Sequence, residues 1–298
     1  LSGKWLKERN LKRTIKFGMS NNIRIESAPP HAHGYGPQPE NDLSLTLTEN
    51  LIFSEFKWDG YHGSFGIQYE RLQGYTDGWE FLLPNHHRTR LTTILEYNFL
   101  KSTLGARFDF INLGNEAYTE NLYNSDNEII GEDVRAYELK KTMPSWALSW
   151  EKAISNDQFF FGLTTTAYSR APSNYALAAN GIHHGTFRFE QGNPDLKPET
   201  AVEIRSSMKL LNSTSNFSLH VNSFASLHKG FIHLNPTASF APIAHGGQIY
   251  AFQATDAFRT GLEMNVNFKK GKSLFTTTSS ILGQWALETG LGLPFTPP

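Results

Sequence analysis

The chain has 298 residues, with 27 Lys plus Arg against 28 Asp plus Glu, so no strong net field draws it to nucleic acid. It has no cysteine, which excludes disulfides, thiolate metal sites and a thiol nucleophile. Aromatics at 13% and charged residues at 18% suit a chain with two apolar boundaries to decorate, and suit a large soluble sandwich as well.

The elements read as strands almost throughout, because apolar residues recur at every second position and no helical stripe of useful length appears. No apolar run approaches the roughly 20 residues of a membrane-spanning helix. The chain opens at Leu1 in what reads as a strand, without a signal peptide. A long connection over 28–42 follows, then a short turn at Lys57-Trp58-Asp59-Gly60 and a long one over 73–88. Leu91, Thr93, Leu95, Tyr97 and Phe99 alternate with more polar neighbours up to the turn Leu100-Lys101-Ser102. Leu104, Ala106, Phe108 and Phe110 are interleaved with Gly105, Arg107 and Asp109. A long loop over 113–140, a short turn at Ser155-Asn156-Asp157 and a long loop over 172–198 come next. Val202, Ile204, Ser206, Met208 and Leu210 form a strand that turns at Asn212–Ser215 into Phe217, Leu219, Val221 and Ser223. After a long loop over 232–247, Leu262, Met264, Val266 and Phe268 lead to the turn Lys269-Lys270-Gly271-Lys272. The sum is about eleven or twelve strands.

Short and long connections alternate, so all tight turns fall at one end of the sheet and all long loops at the other. Asn, Asp, Gly and Ser supply the backbone angles of the tight turns. Transmembrane β-barrels have this asymmetry, and their tilted strands run to about ten residues. Greek-key sandwiches do not predict it. Trp58, Trp79, Trp146, Trp150 and Trp285 sit near strand ends, as interfacial girdles require. The expected fold is all-β: an antiparallel, up-and-down transmembrane barrel.

Four segments carry a family resemblance. Gly192-Asn193-Pro194-Asp195-Leu196-Lys197-Pro198-Glu199 is a turn-rich loop opening directly into an alternating strand. Ser169-Arg170-Ala171-Pro172-Ser173 precedes it, Ala254–Glu263 follows, and Leu293-Pro294-Phe295-Thr296-Pro297-Pro298 ends the chain. In this order they resemble the loop-to-strand motifs of TonB-dependent outer-membrane receptors; residues 1–168 carry the strand pattern without a sharp motif. The resemblance implies a barrel of roughly 22 strands with a plugged lumen. It implies active uptake driven through the TonB complex, and no enzymatic activity. Residues 1–298 are then expected to be about half of such a barrel, without its plug domain, its signal peptide or its terminal strands. The partners implied are outer-membrane lipid, the TonB complex through the plug region, and a transported metal or metal complex.

Asn180-Gly181-Ile182-His183-His184-Gly185-Thr186 is similar to the branch of that family whose members take up zinc or haem, and Gly78–Pro84 resembles a comparable loop-to-strand entry. No intrinsic cofactor is expected; zinc, haem or a ferric siderophore complex is expected as cargo. The chain has 11 His, and neutral imidazole ligates zinc and haem iron. The candidate ligand-binding residues are His31, His33, His86, His87, His183 and His184, with His31, His33, His183 and His184 the candidates for a metal. His245 lies in another long loop. Neighbouring side chains such as His86 and His87 point opposite ways in an extended chain, so at most one of each pair binds. Asp126, Glu128, Glu132 and Asp133 form an acidic stretch that either attracts cations or is simply solvated. The candidate motif residues are Asn180, Gly181, Gly192, Asn193, Pro194, Leu196, Pro198 and Glu199. No G-x-S-x-G, H-E-x-x-H or phosphate-binding loop supports catalysis.

Three other readings stay open: a passive porin or adhesin barrel, a cobalamin or glycan importer of the same family, and a soluble carbohydrate-binding or hydrolytic β-protein.

Overall fold

The structure, a computed structural model, describes residues 12–28, 43–60, 62–78, 83–99, 102–126, 128–154, 158–183, 188–212, 216–241 and 247–294. The elements in chain order are β1 Lys12–Ala28, β2 Leu43–Gly60, β3 Gly63–Gly78, β4 His86–Phe99, β5 Ser102–Asn115, β6 Tyr118–Tyr123, β7 Ile129–Arg135, β8 Glu138–Ile154, β9 Phe159–Arg170, α1 Asn174–Ala178, β10 Asn180–His183, β11 Arg188–Gln191, β12 Glu199–Asn212, β13 Phe217–Phe240, β14 Gln248–Lys270 and β15 Ser273–Ala286. All but β6 and β7 join one 13-stranded sheet, which runs β1-β2-β3-β4-β5-β8-β9-β12-β13-β14, with β15 and β11 both paired to β14 and β10 paired to β11. Neighbours along the main wall are antiparallel and consecutive apart from excursions at the long-loop end, as an up-and-down wall requires.

The register shows why these residues take this form. One row of paired residues crosses the sheet from β2 to β15: Trp58, Phe65, Leu95, Ala106, Trp146, Ala167, Val202, Leu227, Phe258 and Trp285. Every member is apolar. The row one residue away reads Asp59, Ser64, Glu96, Gly105, Ala147, Thr166, Glu203, Ser226, Arg259 and Gln284, all polar or small. Successive side chains leave a strand on opposite faces, so the sheet has one apolar and one polar side. Large residues on the apolar side stay uncovered by protein, with Phe17 70%, Leu227 56% and Ile204 49% exposed. In water such a face is a liability; in a bilayer it is solvated by lipid tails.

Short turns close one end. Gly271 at φ +60° and Asn216 at φ +50° supply the left-handed backbone that two of them need. At the other end several strands outrun their expected bounds. β3 continues to Gly78 and β13 to Phe240, where loops over 73–88 and 232–247 were expected. The expected loop over 113–140 contains the β6–β7 hairpin, and that over 172–198 contains α1, β10 and β11. The expected count of about eleven or twelve strands agrees with the eleven described strands of the wall, β1–β5, β8, β9 and β12–β15; the four further strands lie within the long loops.

Candidate functional site

The segment 171–198 leaves β9 and returns to β12, which are adjacent strands, yet it reaches well beyond both. Its helix α1 packs on β5 and β8: Ala176 and Leu177 share a buried cluster with Ile111, Leu113, Met143, Leu196 and Ile232. Its strand β11 pairs in parallel with β14, on the opposite flank, from Phe189↔Ile249 to Gln191↔Ala251. Ile111 and Leu113 share a strand face with Arg107 and Asp109, the polar side of the sheet. The segment is therefore a crossbar over the polar, lumenal side at the long-loop end.

Local chemistry builds it. The Ser173 hydroxyl accepts the Ala176 N–H at 3.0 Å and caps α1. Gly192 presses against the far end of that helix, where a Cβ would lie 2.6 Å from the Ala178 nitrogen. Its own N–H donates to the Ala179 carbonyl at 2.5 Å, and Asn193 N–H donates to the Ala176 carbonyl at 2.8 Å. The Asn193 side-chain oxygen then accepts the Asp195 N–H at 2.9 Å, turning the chain so that Leu196 drops into the cluster. Tyr137 donates its hydroxyl to Asn174 at 2.7 Å. Burial pushes that phenol above its ordinary pKa, so it stays a donor. Tyr175 donates to Glu190, and its ring meets Phe252 edge-on at 5.7 Å.

Glu199 pins the base. It is 1% exposed and pairs across the β9–β12 ladder with Arg170. Its two oxygens accept from Arg170 at 2.9 and 3.0 Å, and one also accepts the Ile232 N–H at 3.3 Å. The crossbar thus begins right after Arg170 and ends at Glu199, and these two residues close its stem. Beside them His228, 3% exposed, places Nδ1 3.9 Å from Glu199 and Nε2 3.0 Å from the Ser226 hydroxyl. Among the described residues Nδ1 has no hydrogen-bond partner.

Further along the wall the lumenal side is a ladder of charges. Arg90 holds Glu70 through two contacts of 2.5 and 2.6 Å, and Arg107 holds Asp109 at 2.7 and 2.9 Å. Thr92 also donates to Asp109, and Arg205 to Glu203. Strand parity alone gives these residues a common face, and no spacing or motif in the sequence marks them as a site.

The candidate histidines fare differently. His86 is 6% exposed, with Nδ1 3.0 Å from the Pro84 carbonyl, Nε2 3.8 Å from Glu49 and its ring over Gly74. Both nitrogens face protein acceptors. His87 lies against Gly114, on the other face of the strand. His31, His33, His184, His245 and the His183 side chain lie outside the described residues. Among the described residues no group of three or more His, Asp or Glu is arranged to hold a metal. Of the motif residues, Gly192, Asn193, Leu196 and Glu199 build the crossbar and its stem, while Asn180 and Gly181 lie in β10 against Gln191 and Glu190. Pro194 lies in the turn at 194–195, and Pro198 directly precedes β12.

Comparison with known proteins adds three findings. The family described as "TonB dependent receptor-like, beta-barrel" matches residues 7–298. No curated protein matches the chain. Among solved structures the fold is similar to the copper transporter OprC, with a TM-score of 0.62 and 12% identity over 95% of this chain and 44% of that one. It is similar to the ferric yersiniabactin uptake receptor FyuA from Yersinia pestis, with a TM-score of 0.57 and 11% identity over 99% and 44%. A third is the Serratia marcescens hemophore receptor HasR, solved with its hemophore and heme, with a TM-score of 0.50 and 13% identity over 91% and 49%. The chain thus spans less than half the length of each.

Proposed function

Since this chain belongs to the TonB-dependent receptor β-barrel family, a family of outer-membrane receptors rather than enzymes, we propose that it forms about half of the wall of a larger barrel and that the whole protein imports a metal or metal complex. The observation that carries this reading is the crossbar, braced between β5 and β14 above a lumenal wall of fixed charges. A wall with lipid on one side and paired Arg, Asp and Glu on the other suits a lumen holding a polar domain and passing a polar cargo. The remaining strands close the sheet beyond β1 and β15, because an open edge in lipid leaves backbone groups unsatisfied.

In this proposal the plug occupies the lumen and couples to the TonB complex, and the cargo meets the long-loop end first. The similar structures named above carry copper, ferric yersiniabactin and heme in their names, which supports a metal, haem or a ferric complex as the cargo class. One of His183 and His184 is proposed as a first contact, together with His31 and His33; His87 is a further candidate, while His86 is engaged by the Pro84 carbonyl and places Nε2 3.8 Å from Glu49.

The test is uptake of radiolabelled zinc, haem iron and a ferric siderophore by cells carrying the intact protein, with and without functional TonB. TonB-dependent accumulation of one cargo, reduced about tenfold by replacing His183 and His184 with alanine, is expected; the loss of one ligand bond of about 1.4 kcal/mol, whichever of the pair makes it, suffices for that factor. Accumulation unaffected by loss of TonB returns the passive porin.

A further inference from the structure

We propose that His228 is a proton-operated catch on the stem of the crossbar: neutral, it leaves Glu199 to Arg170, and on taking up a proton it draws Glu199 away and loosens 171–198. The inference is independent of the cargo and of import.

Small neighbours build the slot that holds His228. On β13 it pairs with Ala201 of β12 and with Ala257 of β14, both buried. Two short side chains leave room for an imidazole between larger ones: Tyr168 meets the ring edge-on at 6.3 Å and Phe231 at 5.1 Å. Nε2 has the Ser226 hydroxyl at 3.0 Å. Nδ1 lies 3.9 Å from Glu199 Oε1, beyond hydrogen-bond reach, and has no other partner among the described residues. That same Oε1 accepts from Arg170 Nε at 2.9 Å. Arg170 and a charged His228 therefore address one oxygen, and Arg170 holds it while the imidazole is neutral.

Charge around the ring is already unbalanced. Arg170 and the Tyr168 phenol come from β9, Glu199 and Glu203 from β12 and Arg259 from β14. A further imidazole, His233, stacks on Phe231 at 6.4 Å. Glu199 is taken by Arg170, and Glu203 by Arg205. Arg259 lies over the Phe231 ring at 5.3 Å and pairs with no carboxylate among the described residues. Three guanidinium groups thus stand against two carboxylates. A proton on His228 adds another cation in a place closed to water, which costs free energy unless a carboxylate turns to it or water reaches it. Either response parts Arg170 from Glu199, and that contact is what joins the two ends of the crossbar. Histidine is the side chain that charges in mild acid, so mild acid is the signal.

The experiment is limited proteolysis of the intact protein in mild detergent, following papain cleavage within 171–198 at about pH 7.5 and about pH 5. Rates are divided by those on an unstructured peptide at the same pH. Wild type is expected to be cut about fivefold faster in acid; a closed stem that binds the proton about tenfold more weakly than the open one suffices for that factor. H228Q keeps a neutral partner for Ser226 but takes no proton, and is expected to change by less than about twofold. R259Q removes the unmatched guanidinium, so its acid response is expected to lie between those two. H220Q, altered at another histidine of β13, is the control and is expected to respond as wild type. An equal acid response from wild type and H228Q overturns the proposal. So does a wild type that shows no acid response, or a response lost in H220Q. An R259Q response as steep as that of wild type overturns it as well, because the unbalanced charge is what makes the proton costly. Heat-modifiable gel mobility verifies that each variant is folded, and R259Q carries the test if H228Q does not fold.

Discussion

The wall and the crossbar follow opposite rules. In the wall, apolar residues point away from protein: Ile204 and Leu227 are half exposed, and polar residues face one another across the lumen side. In the crossbar, apolar residues point inward as in a soluble domain, with Leu113 at 1% and Leu177 at 3% exposure. The wall is ordered by ladder hydrogen bonds and by lipid, so it tolerates exchange of one apolar residue for another. The crossbar is ordered by a small packed cluster and a few charged bonds, so single residues matter to it. The largest effect should come from reversing the wall's sides. Ile204→Arg puts a charge into lipid and is expected to cost about 3 kcal/mol in folding into bilayers. Asn222→Arg, facing a roomy lumenal opening, is expected to cost under about 1 kcal/mol. Urea titration of folding into vesicles checks both, and equal costs would show that the two faces are wrongly assigned.

Crossbar substitutions sharpen the contrast from the other side. Glu199→Gln keeps volume but removes the charge that Arg170 and the Ile232 N–H address. Because the Arg170 side chain is 55% exposed, its share is partly screened, and a local loss of about 2 kcal/mol is expected. Proteolysis within 171–198 should accelerate while the barrel's own unfolding midpoint stays put. A shift of both together would make the crossbar part of the wall's cooperative unit. Gly192→Ala forces a Cβ onto helix backbone, which cannot swing aside as a side chain can, and should cost about 1.5 kcal/mol by the same assay.

The same contrast explains what the sequence disclosed. Leu91-Thr93-Leu95-Tyr97-Phe99 was readable as a strand because its two faces meet different media, and alternation is the direct record of that difference. Above the bilayer the difference fades. His233, Asn235, Pro236 and Thr237 look like loop, yet they continue β13, because β14 supplies the partner and no lipid demands apolar residues there. Helix α1 left no periodic trace: Asn174–Ala178 is barely one turn, fixed by Ser173 and by packing on Leu113. Glu199 was legible as the end of a motif, but its role was not, since Arg170 stands 29 residues earlier and meets it only through the β9–β12 register. The charged ladder was implicit in strand parity at Arg107 and Asp109, though nothing local told which face looked into the lumen.

The smallest expected effect concerns pH and the crossbar alone. Tyr137 sits in the connection between β7 and β8, outside the wall, where its hydroxyl donates to Asn174 at the start of α1. Burial raises the phenol's pKa above the ordinary 10.0, so the folded state disfavours the phenolate. Its contribution is then complete below the unfolded value and disappears as pH rises through the folded one. The crossbar should accordingly show flat proteolytic protection between pH 7 and 9, roughly, and on the alkaline side loosen only above about 10. Tyr137→Phe removes one hydrogen bond and should cost about 1 kcal/mol of protection at neutral pH. It should also abolish the alkaline loosening, because no phenol is left to ionise. Protection of wild type and variant that declines in parallel above pH 10 would assign the alkaline effect to other groups, and would leave Tyr137 as a packing residue of the cluster beneath the crossbar.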